Sequence, residues 1–169
     1  MSRIMAGRYT AQTDQPFVVF LIGMRINRLR SVSKWWPTAR SMGPMLQTLY
    51  QHSEHGFLGG QTFVTWRGVM VLQYWRSFEH LEQFARNPSE PHLRAWQRFN
   101  KAIGGDGTVG IWHETYSVGP GQYEALYGNM PVFGLAAATS HQPITGANSA
   151  ARQRIRTPRT SDLALAQTD

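Results

Sequence analysis

The chain contains no cysteine. That excludes disulfides, thiolate zinc sites, Cys-ligated iron–sulfur clusters and a cysteine nucleophile, and it leaves His and carboxylates as the protein ligands for any metal. Charge is scarce too. Asp, Glu, Lys and Arg make up 16% of the 169 residues, so much of the surface is neutral and polar or is covered by a partner. Acidic residues are the scarcer sign, ten against seventeen basic, for a net charge of +7. The excess forms no continuous stripe: Arg152, Arg154, Arg156 and Arg159 sit near the end of the chain, and Arg25, Arg28 and Arg30 bracket a strand end. Such charge supports weak, salt-sensitive attraction to anions and no specific nucleic-acid partner. Long apolar runs are missing as well. Phe17 to Met24 is too short to cross a bilayer and too far from a basic, cleavable start for a signal peptide, so no membrane partner and a cytoplasmic setting are expected.

What is present is an aromatic, patterned middle. Pro16 opens Phe17 to Ile26, apolar on both alternating faces as a central strand covered on both sides should be. Arg25 is its exception, placed either in solvent or at the mouth of a pocket. Ser33 can cap a helix with Trp35, Ala39, Met42, Leu46 and Leu49 on one face, and Gly43-Pro44 predicts a kink or break within it. His52-Ser-Glu-His55 has two imidazoles three residues apart, but no further ligands complete a metal site. Phe57 to Trp66 and Val69 to Trp75, joined by Arg67-Gly68, read as a hairpin, with Gln73 and Trp75 on one face of its second strand. Ser77 caps a second helix that Asn87-Pro88 ends, and a further helical pattern over Pro91 to Ile103 turns His92 inward beside Trp96.

The densest chemistry lies in Val109 to Val118 and the loop that leaves it. The strand's period of two puts Ile111, His113 and Thr115 on one face and Trp112, Glu114 and Tyr116 on the other, so each face receives one ionisable group among apolar neighbours. Beyond it Gln122 to Tyr127 reads as a short helix and Gly134 to Thr139 as a last short strand. Residues 1–15 are expected to be an N-terminal arm, 16–139 the folded domain, and 140–169 a disordered basic tail.

The order strand, helix, strand, strand, helix, strand predicts a ferredoxin-like βαββαβ α+β fold, a four-stranded antiparallel sheet with helices on one face. Its other face needs a cover, most economically a second copy, so a homodimer is expected. The motifs Phe20-Leu-Ile-Gly-Met-Arg-Ile-Asn27, Lys34-Trp-Trp-Pro37, Gln73-Tyr-Trp-Arg-Ser77, Trp112-His-Glu-Thr-Tyr116 and Tyr127-Gly-Asn-Met-Pro131 together resemble the monooxygenase-like family named for a fungal fumagillin-pathway oxygenase, over about Arg8 to Thr139. The resemblance implies a dimeric α+β barrel related in fold to antibiotic-biosynthesis monooxygenases and, more distantly, to haem-dependent aldoxime dehydratases.

A fold of this kind does not fix a reaction. The reading that follows is a monooxygenase acting without a cofactor on a small to medium apolar organic substrate, in secondary metabolism or detoxification. His113 is the first choice of base, Glu114 orients a group or acts as base on the opposite face, and Tyr116, Tyr123 or Asn129 donates to a developing oxyanion. Trp36, Trp75 and Trp96 would form walls, with Arg25 and His92 contacting the substrate. The alternatives are a haem enzyme resembling aldoxime dehydratase, with His113 or His92 as axial ligand, and a non-catalytic dimeric ligand-binding module.

Overall fold

The elements follow from where the alternating and helical patterns find partners. In the computed structural model, which describes residues 3–51, 55–86 and 106–155, the chain runs β1 (Met5–Ala11), β2 (Phe17–Ile26), α1 (Val32–Gln51), β3 (Phe57–Thr65), β4 (Gly68–Trp75), α2 (Phe78–Arg86), β5 (Val109–Val118), β6 (Tyr127–Met130), α3 (Gly134–Ala138), β7 (His141–Pro143), a 3-10 turn (Gly146–Asn148) and α4 (Ala151–Arg154). It divides into two compact units, Val18–Ser117 and the pair of segments Met1–Phe17 with Val118–Asp169.

The unit Val18–Ser117 holds the four-stranded sheet in the order β3-β4-β2-β5, the arrangement of a ferredoxin-like α+β fold. Antiparallel register sets Val18 opposite Trp75, Phe20 opposite Gln73 and Met24 opposite Val69, and on the far side of β4 it sets Phe63 opposite Met70. One face carries the core. Val18, Leu49, Phe57, Trp75 and Leu81 form one buried cluster with Phe20 and Phe84 against it, and Met24, Ile26 and Val109 form a second against Trp35 and Ala39 of α1. Each fully buried large side chain contributes roughly 1.5–3 kcal/mol. The Trp75 indole N–H donates to Gln73 Oε1 at 2.9 Å, so the polar edge of the deepest ring is satisfied inside the core.

Three local expectations are corrected. α1 starts at Val32, with Ser31 O accepting from the Lys34 and Trp35 amides, so the cap position is Ser31, two residues before Ser33. It then runs through Gly43-Pro44 as one continuous helix, so the break, one of the two expected outcomes there, does not occur. Gly134–Ala138 is helical, as an alanine-rich stretch favours, and no strand forms there. Ser77 does cap α2, accepting the His80 amide at 3.4 Å while its hydroxyl meets His80 Nδ1 at 2.9 Å.

The other unit is a second sheet, β6-β1-β7. The expected arm therefore contains the central strand of this sheet, and part of the expected tail, His141–Pro143, is one of its edges. β1 has few large apolar groups, so its signal was weak; backbone pairing and the Tyr9 ring, stacked on His141 at 4.2 Å, hold it. Arg154 of α4 donates to Glu124 and to the Asn148 and Ser149 carbonyls, which ties residues 148–154 to the loop before β6. Residues 122–126 form no helix.

Candidate functional site

The sheet of the larger unit separates the expected catalytic residues as the period of two requires. His113 lies on the face toward α1 and α2, its ring centroid 5.8 Å from that of Phe20. Trp112, Glu114 and Tyr116 lie on the opposite face. A Cβ on Gly23 would sit 2.8 Å from the Trp112 indole, so glycine alone lets this ring lie flat on β2. A Cβ on Gly110 would meet Asn27 Nδ2 at 3.5 Å and the Arg25 Cβ at 4.0 Å, ordinary contacts that set Gly110 beside Arg25. Numbers rising by two on β2 while falling by two on β5 make the strands antiparallel, and the register continues to Leu21 beside Glu114 and Val19 beside Tyr116.

The face can be laid out in rows. Phe63, Met70, Gly23 and Trp112 form one; Gln61, Leu72, Leu21 and Glu114 form the next; Tyr74, Val19 and Tyr116 form the third. Its middle is apolar and its β5 edge is polar. Arg25 stands four residues from Glu114 in strand register, about 13 Å along the sheet with Trp112 between them.

Tyr116 Oη donates to Glu114 Oε2 at 2.6 Å. This hydrogen bond, then the carboxylate's charge, raises the phenol above its ordinary value of 10.0, so at neutral pH Tyr116 is the donor and Glu114 the acceptor. Both side chains are open to solvent. With one carboxylate oxygen held by the phenol, Oε1 is left to meet a substrate.

The remaining candidates divide among several places. Trp75 is 0% exposed and belongs to the core, which leaves it no surface as a pocket wall. Trp36 is exposed on α1, edge-to-face with Trp35. Tyr123 and Asn129 are in the other unit and serve its backbone: Tyr123 Oη donates to the Thr13 carbonyl at 3.2 Å, and Asn129 Oδ1 accepts the Gly7 amide at 3.0 Å from a left-handed backbone at φ 52°. His92, Trp96, His52 and Glu54 lie outside the described residues. Sequence reasoning missed Gly23, although a glycine inside an apolar strand is the usual mark of a close approach.

A haem at His113 would require an apolar slot beside a ring nitrogen. One cleft, about 160 Å³ and lined in part by Asp14, Tyr123 and Arg154, belongs to the smaller-sheet unit; another, about 360 Å³, is lined by His55, His80, Gln83, Phe84 and Arg86. His113 lines neither of these two clefts. Among the described residues no group of three His, Asp or Glu could hold a metal ion.

Residues 17–135 match the family model of monooxygenase af470-like proteins. The chain belongs to this family. Monooxygenase af470 of Aspergillus fumigatus is 27% identical over 157 residues, an alignment covering 76% of this chain and 53% of that protein. The chain thus spans about half the length of this curated relative. Among solved structures, an aldoxime dehydratase superposes with a TM-score of 0.60 at 16% identity, over 81% of this chain and 41% of that one, a likeness that bears on fold alone. The family match covers β2 through β6 and so includes Arg25, Trp112, Glu114 and Tyr116.

Proposed function

We propose that this chain is a monooxygenase that acts on a small to medium apolar organic substrate with an acidic methylene, using no cofactor for the oxygen step. Membership of a monooxygenase family supports the class of reaction. The observation that carries the site is the Tyr116–Glu114 hydrogen bond beside Trp112 on an apolar sheet face.

The chemistry balances without an added reductant. Glu114 Oε1 takes a proton from the substrate CH₂, and the carbanion passes electrons to O₂ and forms a C–O bond as a hydroperoxide. Loss of the second C–H proton breaks the O–O bond, so CH₂ and O₂ become C=O and H₂O. Four electrons leave the carbon and both oxygen atoms are accounted for. Tyr116 positions Glu114, Trp112 supplies a flat wall, and Arg25 attracts an anionic or enolate oxygen at the far end of the substrate.

A solvated carboxylate is a weak base. Covering the face excludes water from the reacting atoms, and the half-buried Val19, Leu21, Phe63, Met70 and Leu72 favour such a cover, which we assign to a second copy of the chain. This reading moves the base from His113, which faces the helices. The test is oxygen uptake with an activated 1,3-dicarbonyl or phenolic methylene under ¹⁸O₂. The expected result is one labelled atom in the ketone and one in water; uptake with no label in the organic product contradicts it.

A further inference from the structure

The end of the larger unit where β3 turns into β4 exposes what a hairpin tip ordinarily avoids. Trp66 is 93% and Val64 86% exposed. The turn is fixed to the β2–α1 loop, since the Ile26 amide donates to the Arg67 carbonyl at 2.6 Å and Arg67 Nη2 donates to the Asn27 carbonyl at 2.8 Å. That loop and the first turn of α1 add Leu29, Val32 and Trp36, each more than half exposed. The Trp35 indole N–H holds the Leu29 carbonyl at 3.0 Å, so these apolar groups are presented from a pinned backbone.

The same end is cationic. Between Asp14 and Glu54 the sequence has Arg25, Arg28, Arg30, Lys34 and Arg40 and no acidic residue. Arg25, Arg28 and Arg30 are exposed. Asp106, the acid that the fold brings to this loop, is occupied by Lys34 and by the Thr108 amide.

We propose that this tip docks on the headgroup surface of an anionic phospholipid bilayer. An indole and aliphatic groups at a projecting turn suit insertion at the depth of the headgroups, where tryptophan is enriched, and flanking arginines suit the lipid phosphates. The attachment is peripheral: among the described residues no helix is long and apolar enough to cross a membrane. The inference is independent of the proposed chemistry.

Co-sedimentation with phosphatidylserine-containing vesicles tests it, with pure phosphatidylcholine vesicles as control. Binding is expected only to the anionic vesicles and is expected to collapse in high salt. Trp66→Ala should weaken it about tenfold, and Arg28→Gln with Arg30→Gln at least as much; both variants should keep the parental Tm, since these side chains are exposed. Quenching of tryptophan emission by brominated lipid should fall in Trp66→Ala, leaving the share contributed by Trp36. No binding to anionic vesicles overturns the proposal. So does binding that ignores Trp66 while the protein retains DNA with the same salt dependence, which marks a nucleic-acid surface. A fall in sedimenting mass on Trp66→Ala in the absence of lipid overturns it in favour of a contact between copies.

Discussion

The two faces of the four-stranded sheet use similar residue types to opposite ends. On the face toward α1 and α2, Trp75 is wholly buried and its N–H is spent on Gln73. On the other, Trp112 lies open over Gly23, and Glu114 and Tyr116 are paired to each other at the solvent edge. A polar group satisfied inside a core rigidifies the fold, whereas one held ready at an uncovered surface can exchange a partner for a substrate. On the proposed reading, the first face supplies stability and the second the chemistry.

Substitutions should therefore separate the two properties. The largest loss of stability is expected from Trp75→Ala, about 3–5 kcal/mol in chemical denaturation. A variant that loses less than 1 kcal/mol would mean that this face is not the core. Next comes Gly68→Ala: a Cβ there would lie 1.9 Å from the Met24 carbonyl oxygen, so backbone must shift, and roughly 1–3 kcal/mol should be lost. On the opposite face, Tyr116→Phe should leave Tm within a degree or two and reduce oxygen uptake about tenfold, because Glu114 loses the donor that positions it. Unchanged turnover would detach Tyr116 from the site.

The smallest effect concerns pH. The Lys34 ammonium, then the Thr108 amide, hold the Asp106 carboxyl well below its ordinary value of 3.8. A carboxylate lowered on folding adds stability above the unfolded value, and that stability is lost as pH falls through the folded one. Asp106→Asn should therefore lower Tm slightly at pH 7, with the gap to the parent narrowing as pH drops below about 3.8. A gap that stays constant into acid would show that the Lys34 contact contributes nothing through charge.

Much of this was legible where local pattern and tertiary demand agree. The apolar run Phe17–Ile26, the hairpin through Arg67-Gly68 and the Ser77 cap each announce their element, and the alternation along β5 alone divides His113 from Glu114 and Tyr116. β1 was not legible, because Tyr9 and Arg8 find their strand partners at Tyr127, Gly128 and Pro143, more than a hundred residues onward, and no local apolar signal marks the pairing. Gly134–Ala138, where a last strand is expected, is a helix instead, in line with the helix preference of alanine. The Gly23–Trp112 contact was hidden for another reason. It depends on cross-strand register, which a period of two does not supply.

The claim at the centre is that the base sits on the face away from the helices. The direct test is the rate of oxygen consumption by Glu114→Gln and His113→Ala, each checked for parental Tm, with the same activated methylene substrate. The account predicts a loss of about 10²–10⁴-fold for Glu114→Gln and less than threefold for His113→Ala. A large loss in His113→Ala with Glu114→Gln near the parent would contradict it and return the chemistry to the helix side of the sheet.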